Sequence, residues 1–164
     1  MARPVVLSDA SPLIALSLID RLDLLHSLFG RITITEVVRS EVLEGGTKPG
    51  QAAIATAIQG KQIRVIADEW PEPNLLQLDE GEASTLRAAI HLKVPCLVLI
   101  DERAGRAVAR ELGIPHTGTV GLIVQAKRRG LGPSARTTFE QLLAKGFRVA
   151  AETIREALAQ AGEG

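Results

Sequence analysis

Two stretches of this chain end an apolar run on an aspartate and begin a helix at once. In VVLSDASPLIAL, residues 5–16, the run Val5, Val6 and Leu7 suits a strand covered on both faces. Asp9 follows. Ser11 and Pro12 then open a helix, Ser11 as N-cap and Pro12 at the first helical position, where its missing N–H costs nothing. CLVLIDERAGRAVAREL, residues 96–112, repeats the arrangement around Asp101. A buried strand that leads straight into a helix is the unit of a mostly parallel sheet with helices on its faces.

The rest of the chain keeps to that plan. Strands are expected at 4–8, 32–34, 62–67 and 95–100, with a short one near 115–117. Helices are expected at about 12–28, 36–43, 49–58, 80–93, 103–112 and 119–129. After Gly132, SARTTFEQLLAKG and AETIREALAQAG read as a helical hairpin. The fold class is therefore α/β: a three-layer α/β/α sandwich with a mostly parallel central sheet and a C-terminal helical hairpin, one domain over 1–164. EGGTKPG, residues 44–50, is the most loop-like stretch and is too short for a domain linker.

Open sheets of this kind bind ligands beyond the carboxyl ends of their strands, where both aspartates fall. Two glutamates lie on faces that should be apolar. Glu41 follows Val37 by four and Val38 by three, and Glu82 precedes Leu86 by four on the stripe of Leu86, Ala89 and Ile90. Each acid has an ordinary use. Asp9 and Asp101 suit turns or caps, Glu82 suits a capping box with Asp79, and Glu41 suits an ion pair with Arg39 or Arg64. Four carboxylates at one sheet edge would repel, and a bound cation is the usual relief. An all-oxygen donor set suits Mg²⁺ or Mn²⁺ rather than zinc, and such ions serve phosphodiester hydrolysis. A nucleic-acid backbone is then the expected substrate.

Composition narrows how such a substrate is held. Nineteen Lys plus Arg balance nineteen Asp plus Glu, so attraction to a polyanion needs a local patch. Three Phe, one Trp and no Tyr argue against an aromatic platform for stacked bases. ERAGRAVAR offers Arg103, Arg106 and Arg110, and QAKRRG offers Lys127, Arg128 and Arg129. For the second cluster a solvated helix face, with cations near a helix C-terminus, is an equal reading. HTGTVG, 116–121, could present N–H groups to a phosphate, or Thr119 could cap the helix that follows.

Other motifs fail their context. GLGPSA, 130–135, follows a basic helix rather than a strand, so it is no dinucleotide fingerprint. Cys96 sits in an apolar strand and reads as core; as the single cysteine it forms no internal bridge, which fits a reducing cytoplasm. His26, His91 and His116 lack metal-ligand spacing. The start, MARPVVLSDASPLIAL, meets Asp9 and Pro12 before an apolar stretch of secretory length develops, and no run is long enough to span a bilayer, so a soluble, cytoplasmic protein is expected.

The stretches SDASPLIAL, TEVVRSEVL, LDEGEASTLRAAI, LVLIDERAGRAVARELGIPHTGTVGLIVQAKRRGL and LLAKGFRV, taken in order, resemble PIN-domain nucleases. The likeness is to the DUF3368 branch, related to the VapC toxins of toxin–antitoxin systems. The resemblance implies that Asp9, Glu41, Glu82 and Asp101 are catalytic and hold Mg²⁺ or Mn²⁺. Ser11, beside the first aspartate, would help order the metal or its water, against its plain role as a cap, and Thr117 and Thr119 would support the site. It implies a metal-dependent endoribonuclease, the toxin of a pair; from the local basic clusters, Arg103, Arg106, Lys127 and Arg128 are expected to hold its RNA. A catalytically silent module that binds RNA or protein is the alternative. A small cognate antitoxin and a homodimer are the implied partners. Many VapC-like proteins carry Thr two residues before the last aspartate, where this chain has Leu99, which has no hydroxyl to offer the metal shell. In the last helix Ile154, Ala157, Leu158 and Ala161 form an apolar stripe that suits core packing or an interface.

Overall fold

A computed structural model describes residues 3–164; Met1 and Ala2, part of the expected 1–164 domain, lie outside the described residues. Five short strands form one parallel sheet: β1 (Val5–Ser8), β2 (Ile32–Thr35), β3 (Ile63–Ile66), β4 (Cys96–Leu99) and β5 (His116–Thr117). Their order is β3-β2-β1-β4-β5, so the chain builds outward from β1 on one side and then returns to build on the other. The direction reverses between β1 and β4. At that point the loops leaving neighbouring strands diverge and leave a crevice at the carboxyl edge.

Period-two alternation sends the strand residues to two cores. Val6 and Leu99 face one side, where Leu13 and Leu16 of α1 (Ala10–Leu18), α2 (Asp23–Phe29), α3 (Glu36–Leu43) and α4 (Gln51–Gln59) pack. Leu7, Val98 and Ile100 face the other, against Leu86 of α5 (Glu80–His91) and Val108 of α6 (Arg103–Glu111). A third cluster joins α1 and α7 (Thr119–Arg128) to the hairpin of α8 (Ala135–Ala144) and α9 (Ala151–Gln160). The expected α/β sandwich with a C-terminal hairpin is therefore the fold found. Among the described residues no helix is long and apolar enough to cross a membrane.

Two local expectations give way. The single helix expected over 12–28 is two, because Asp20 adopts φ +58° after Ile19. Arg21 N–H reaches back to Leu16 O at 2.8 Å and Asp20 N–H to Ser17 O at 3.1 Å, closing α1 as a Schellman turn with aspartate where glycine is usual. At the other end, Ser11 is not the N-cap. Asp9 is, without a side-chain cap bond, because its N–H donates to Leu99 O at 3.0 Å and carries the β1–β4 pairing up to the helix start. Pro12 lies one turn in, where an N–H would still have no helical partner.

The stripe on α9 is core. Ala157, Leu158 and Ala161 are buried against Ile123, Val124 and Phe139, with Ile154 alongside. Beyond the helix, the Glu163 carboxylate accepts N–H bonds from Ala135 at 2.6 Å and Arg136 at 3.2 Å, capping α8. These bonds hold its pKa below the ordinary carboxylate value. Truncation after Ala150 is thus expected to abolish the folded state, since losing a core leucine alone costs roughly 2–5 kcal/mol. Circular dichroism and size exclusion check this; a folded, soluble truncated monomer would contradict it.

Candidate active site

Asp101 follows β4 and is the most firmly held acid. Its Oδ2 accepts from Ser11 Oγ at 2.9 Å and Thr119 Oγ1 at 2.8 Å, and its Oδ1 from the Thr119 backbone N–H at 2.7 Å. One carboxylate thereby ties the starts of α1 and α7 to the end of β4. Ser11 and Thr119 belong to the site through this aspartate. The Thr119 N–H is engaged there rather than open to a phosphate, and α7 takes Gly118, not Thr119, as its N-cap. The Thr117 hydroxyl turns instead toward Gly121 in the first turn of α7.

Asp9, one strand away, is only 4% exposed, and among the described residues its Oδ1 has no hydrogen-bond partner. Burial, reinforced by the charges of Asp79, Glu41 and Asp101, outweighs a backbone hydrogen bond from Ala10 and pushes its pKa up to about 7. Glu82 is equally buried, its Oε2 also lacks a partner, and burial with the neighbouring Asp79 and Asp9 raises its pKa to about 8. The Glu41 carboxyl is raised as well, by burial and then by Asp79, and is partly offset by a hydrogen bond from Gly81 and the charge of Lys48.

The ordinary uses account for little of this. Arg39 pairs with Glu36 at 2.9 Å and Glu44 at 3.1 Å, and among the described residues Glu41 makes no ion pair. Asp79 does cap α5, accepting the Glu82 N–H at 2.9 Å. Asp79 is also a fifth carboxylate whose charge reaches Asp9, Glu41 and Glu82, a role hidden behind its capping pattern in the sequence.

Three glycines make room for these acids. Glu41 lies against Gly81, Glu82 against Gly105, and Asp101 against Gly118, each where a Cβ would collide with the carboxylate. Helix contacts fix the frame: Thr35 caps α3 through the Val38 N–H and meets Ser84 Oγ of α5 at 2.7 Å, which joins the helices that carry Glu41 and Glu82.

A family model described as a PIN domain (DUF3368) matches residues 5–163. The chain belongs to the PIN-domain family. No curated protein matches it. PIN domains are generally nucleases and typically use divalent metals. In this PIN domain the donor set suits such an ion: four carboxylates, two of them buried with unpartnered oxygens and two half-buried, and no nitrogen or sulfur ligand among them. Among the described residues, no three His, Cys, Asp or Glu side chains already stand as a compact chelate. The acids lie near enough to feel one another's charge, and that repulsion works against closer approach.

Beside Asp101 the PIN domain opens a groove of about 850 Å³ between α6, α7 and the start of α9. Arg103, Arg106 and Arg110 line one wall, all exposed. The second expected cluster lies elsewhere. Lys127 pairs with Glu163 at 3.8 Å, Arg128 Nε donates to Gln160 O at 2.9 Å, and Arg129 donates to Leu28 O at 2.9 Å. These three fasten α7 to the C-terminal segment and to α2, and none lines the groove.

Proposed function

We propose that this protein is a metal-dependent endoribonuclease, with Asp9, Glu41, Glu82 and Asp101 holding Mg²⁺ or Mn²⁺. The observation that carries the reading is the pair of buried, unpartnered oxygens on Asp9 and Glu82, within a group of like charges and beside a cationic groove. A bound ion would contact phosphate oxygens and make a water more acidic. Asp101, held by Ser11 and Thr119, provides a fixed anionic point at one side. Glu82, beside Asp9 and Asp79, would also orient the attacking water. Arg103, Arg106 and Arg110 receive phosphates along the strand.

The resemblance to VapC toxins extends the proposal to a cytoplasmic toxin with a small antitoxin and a homodimeric assembly. The test is cleavage of single-stranded RNA by the purified protein. Cleavage should require Mg²⁺ or Mn²⁺ and stop with EDTA. RNA binding without cleavage under any divalent ion would instead identify a binding module.

A further inference from the structure

Opposite the α6 arginines, the groove has a second wall built from the connection between α8 and α9. Phe147, Arg148 and Val149 line it, with Thr153 and Glu156 from α9. Arg148 is exposed. Among the described residues, neither it nor Arg103, Arg106 or Arg110 makes an ion pair, in contrast to the engaged Lys127. Four unpaired guanidinium groups therefore face one concavity whose lining acids are Asp101 and Glu156. In a chain of zero formal net charge, this is a local concentration of positive potential rather than a general one.

Phe147 adds a different chemistry. It is half-buried, its N–H donates to Leu142 O at 3.0 Å, and it packs partly on the cluster shared by α8 and α9. A ring held by its own core needs little further ordering to receive a flat partner. A groove of about 850 Å³ has room for more than one phosphate group.

Building on the ribonuclease reading, we propose that the α8–α9 connection is a second substrate-binding element. Arg148 holds a phosphate of the RNA strand across the groove from the α6 arginines, and Phe147 packs against the base of an adjoining nucleotide. A base can meet the ring only when it is unpaired, so the strand enters single. The cations on two walls clamp one backbone, and the path of that backbone leads to Asp101.

The test is fluorescence anisotropy of the full chain with a short, labelled, unstructured single-stranded RNA, in EDTA, over a salt series. Arg148→Ala should weaken binding about fivefold and reduce the salt slope by about 0.7, the value for one lost phosphate contact on a single strand. Arg148→Lys should restore the slope. Phe147→Leu should weaken binding roughly fivefold with an unchanged slope, as loss of stacking does. Arg155→Ala, on an exposed face outside the groove, should change neither. Wild-type affinity and slope in Arg148→Ala, with both reduced in Arg106→Ala, would remove the second wall and leave the ribonuclease reading standing. Absence of RNA binding by the wild type in EDTA would overturn the two-walled clamp, and absence of cleavage with Mn²⁺ would overturn the ribonuclease reading separately. If Phe147→Leu does not fold, the Arg148 pair decides.

Discussion

Asp9→Asn is expected to be more stable than the wild type at pH 8 and to lose catalysis. The folded protein raises the Asp9 pKa from 3.8 to about 7, so between these values the folded state keeps a proton that the unfolded chain releases. Stability from this group is therefore greatest below about pH 4, falls as pH rises through the window, and is lowest above pH 7. At about 1.36 kcal/mol per pKa unit, the penalty removed by asparagine is of the order of 2–4 kcal/mol at pH 8. The same change removes a carboxylate from the proposed ion site and should lower cleavage by more than about a hundredfold, since altering partners outside a metal's direct ligands already costs 10–100-fold. Thermal melts at pH 5 and pH 8 give the sign: the advantage of Asp9→Asn should be large at pH 8 and much reduced at pH 5. A lower melting temperature at pH 8 would make Asp9 a structural acceptor.

Binding of Mn²⁺ should release protons and tighten steeply with pH. Asp9 and Glu82, with pKa values of about 7 and 8, are substantially protonated at neutral pH, and a metal ligand must be deprotonated. Below those values each displaced proton makes affinity rise about tenfold per pH unit. From pH 6 to pH 8 the gain should be about five-hundredfold, roughly tenfold through Asp9 and fiftyfold through Glu82, and then level off. Calorimetry in two buffers of different ionisation heat reads the released protons directly. Affinity independent of pH, with no proton release, would exclude these two acids as ligands.

The acids were legible because each broke a local rule. Asp9 and Asp101 interrupt apolar strands at the edge where a parallel sheet opens, and Glu41 and Glu82 occupy helix faces that otherwise point inward. Asp79 escaped because capping explains it completely at the level of sequence; only the folded chain brings its charge to the other acids. Gly81, Gly105 and Gly118 carry no helical or strand periodicity, so their service as clearances for carboxylates appears only when distant elements meet. The break at Asp20 had no glycine or proline to announce it. The basic residues show the same limit from the other side: QAKRRG is the denser cluster, yet its partners at Glu163, Gln160 and Leu28 come from remote parts of the chain. The strand departure at Leu99 has its own account, for Leu99 is fully buried in the core beneath α1.

The groove beside Asp101 takes one wall from α6 and the other from α9 and the segment before it. A growing chain that has made every acid, from Asp9 to Asp101, still lacks the surface that would guide a strand to them. It also lacks the helix that completes the third core cluster. The groove is therefore among the last features of the fold to be completed. A partly made copy that ends before α9 would lack both the groove and the folded frame that brings the acids together.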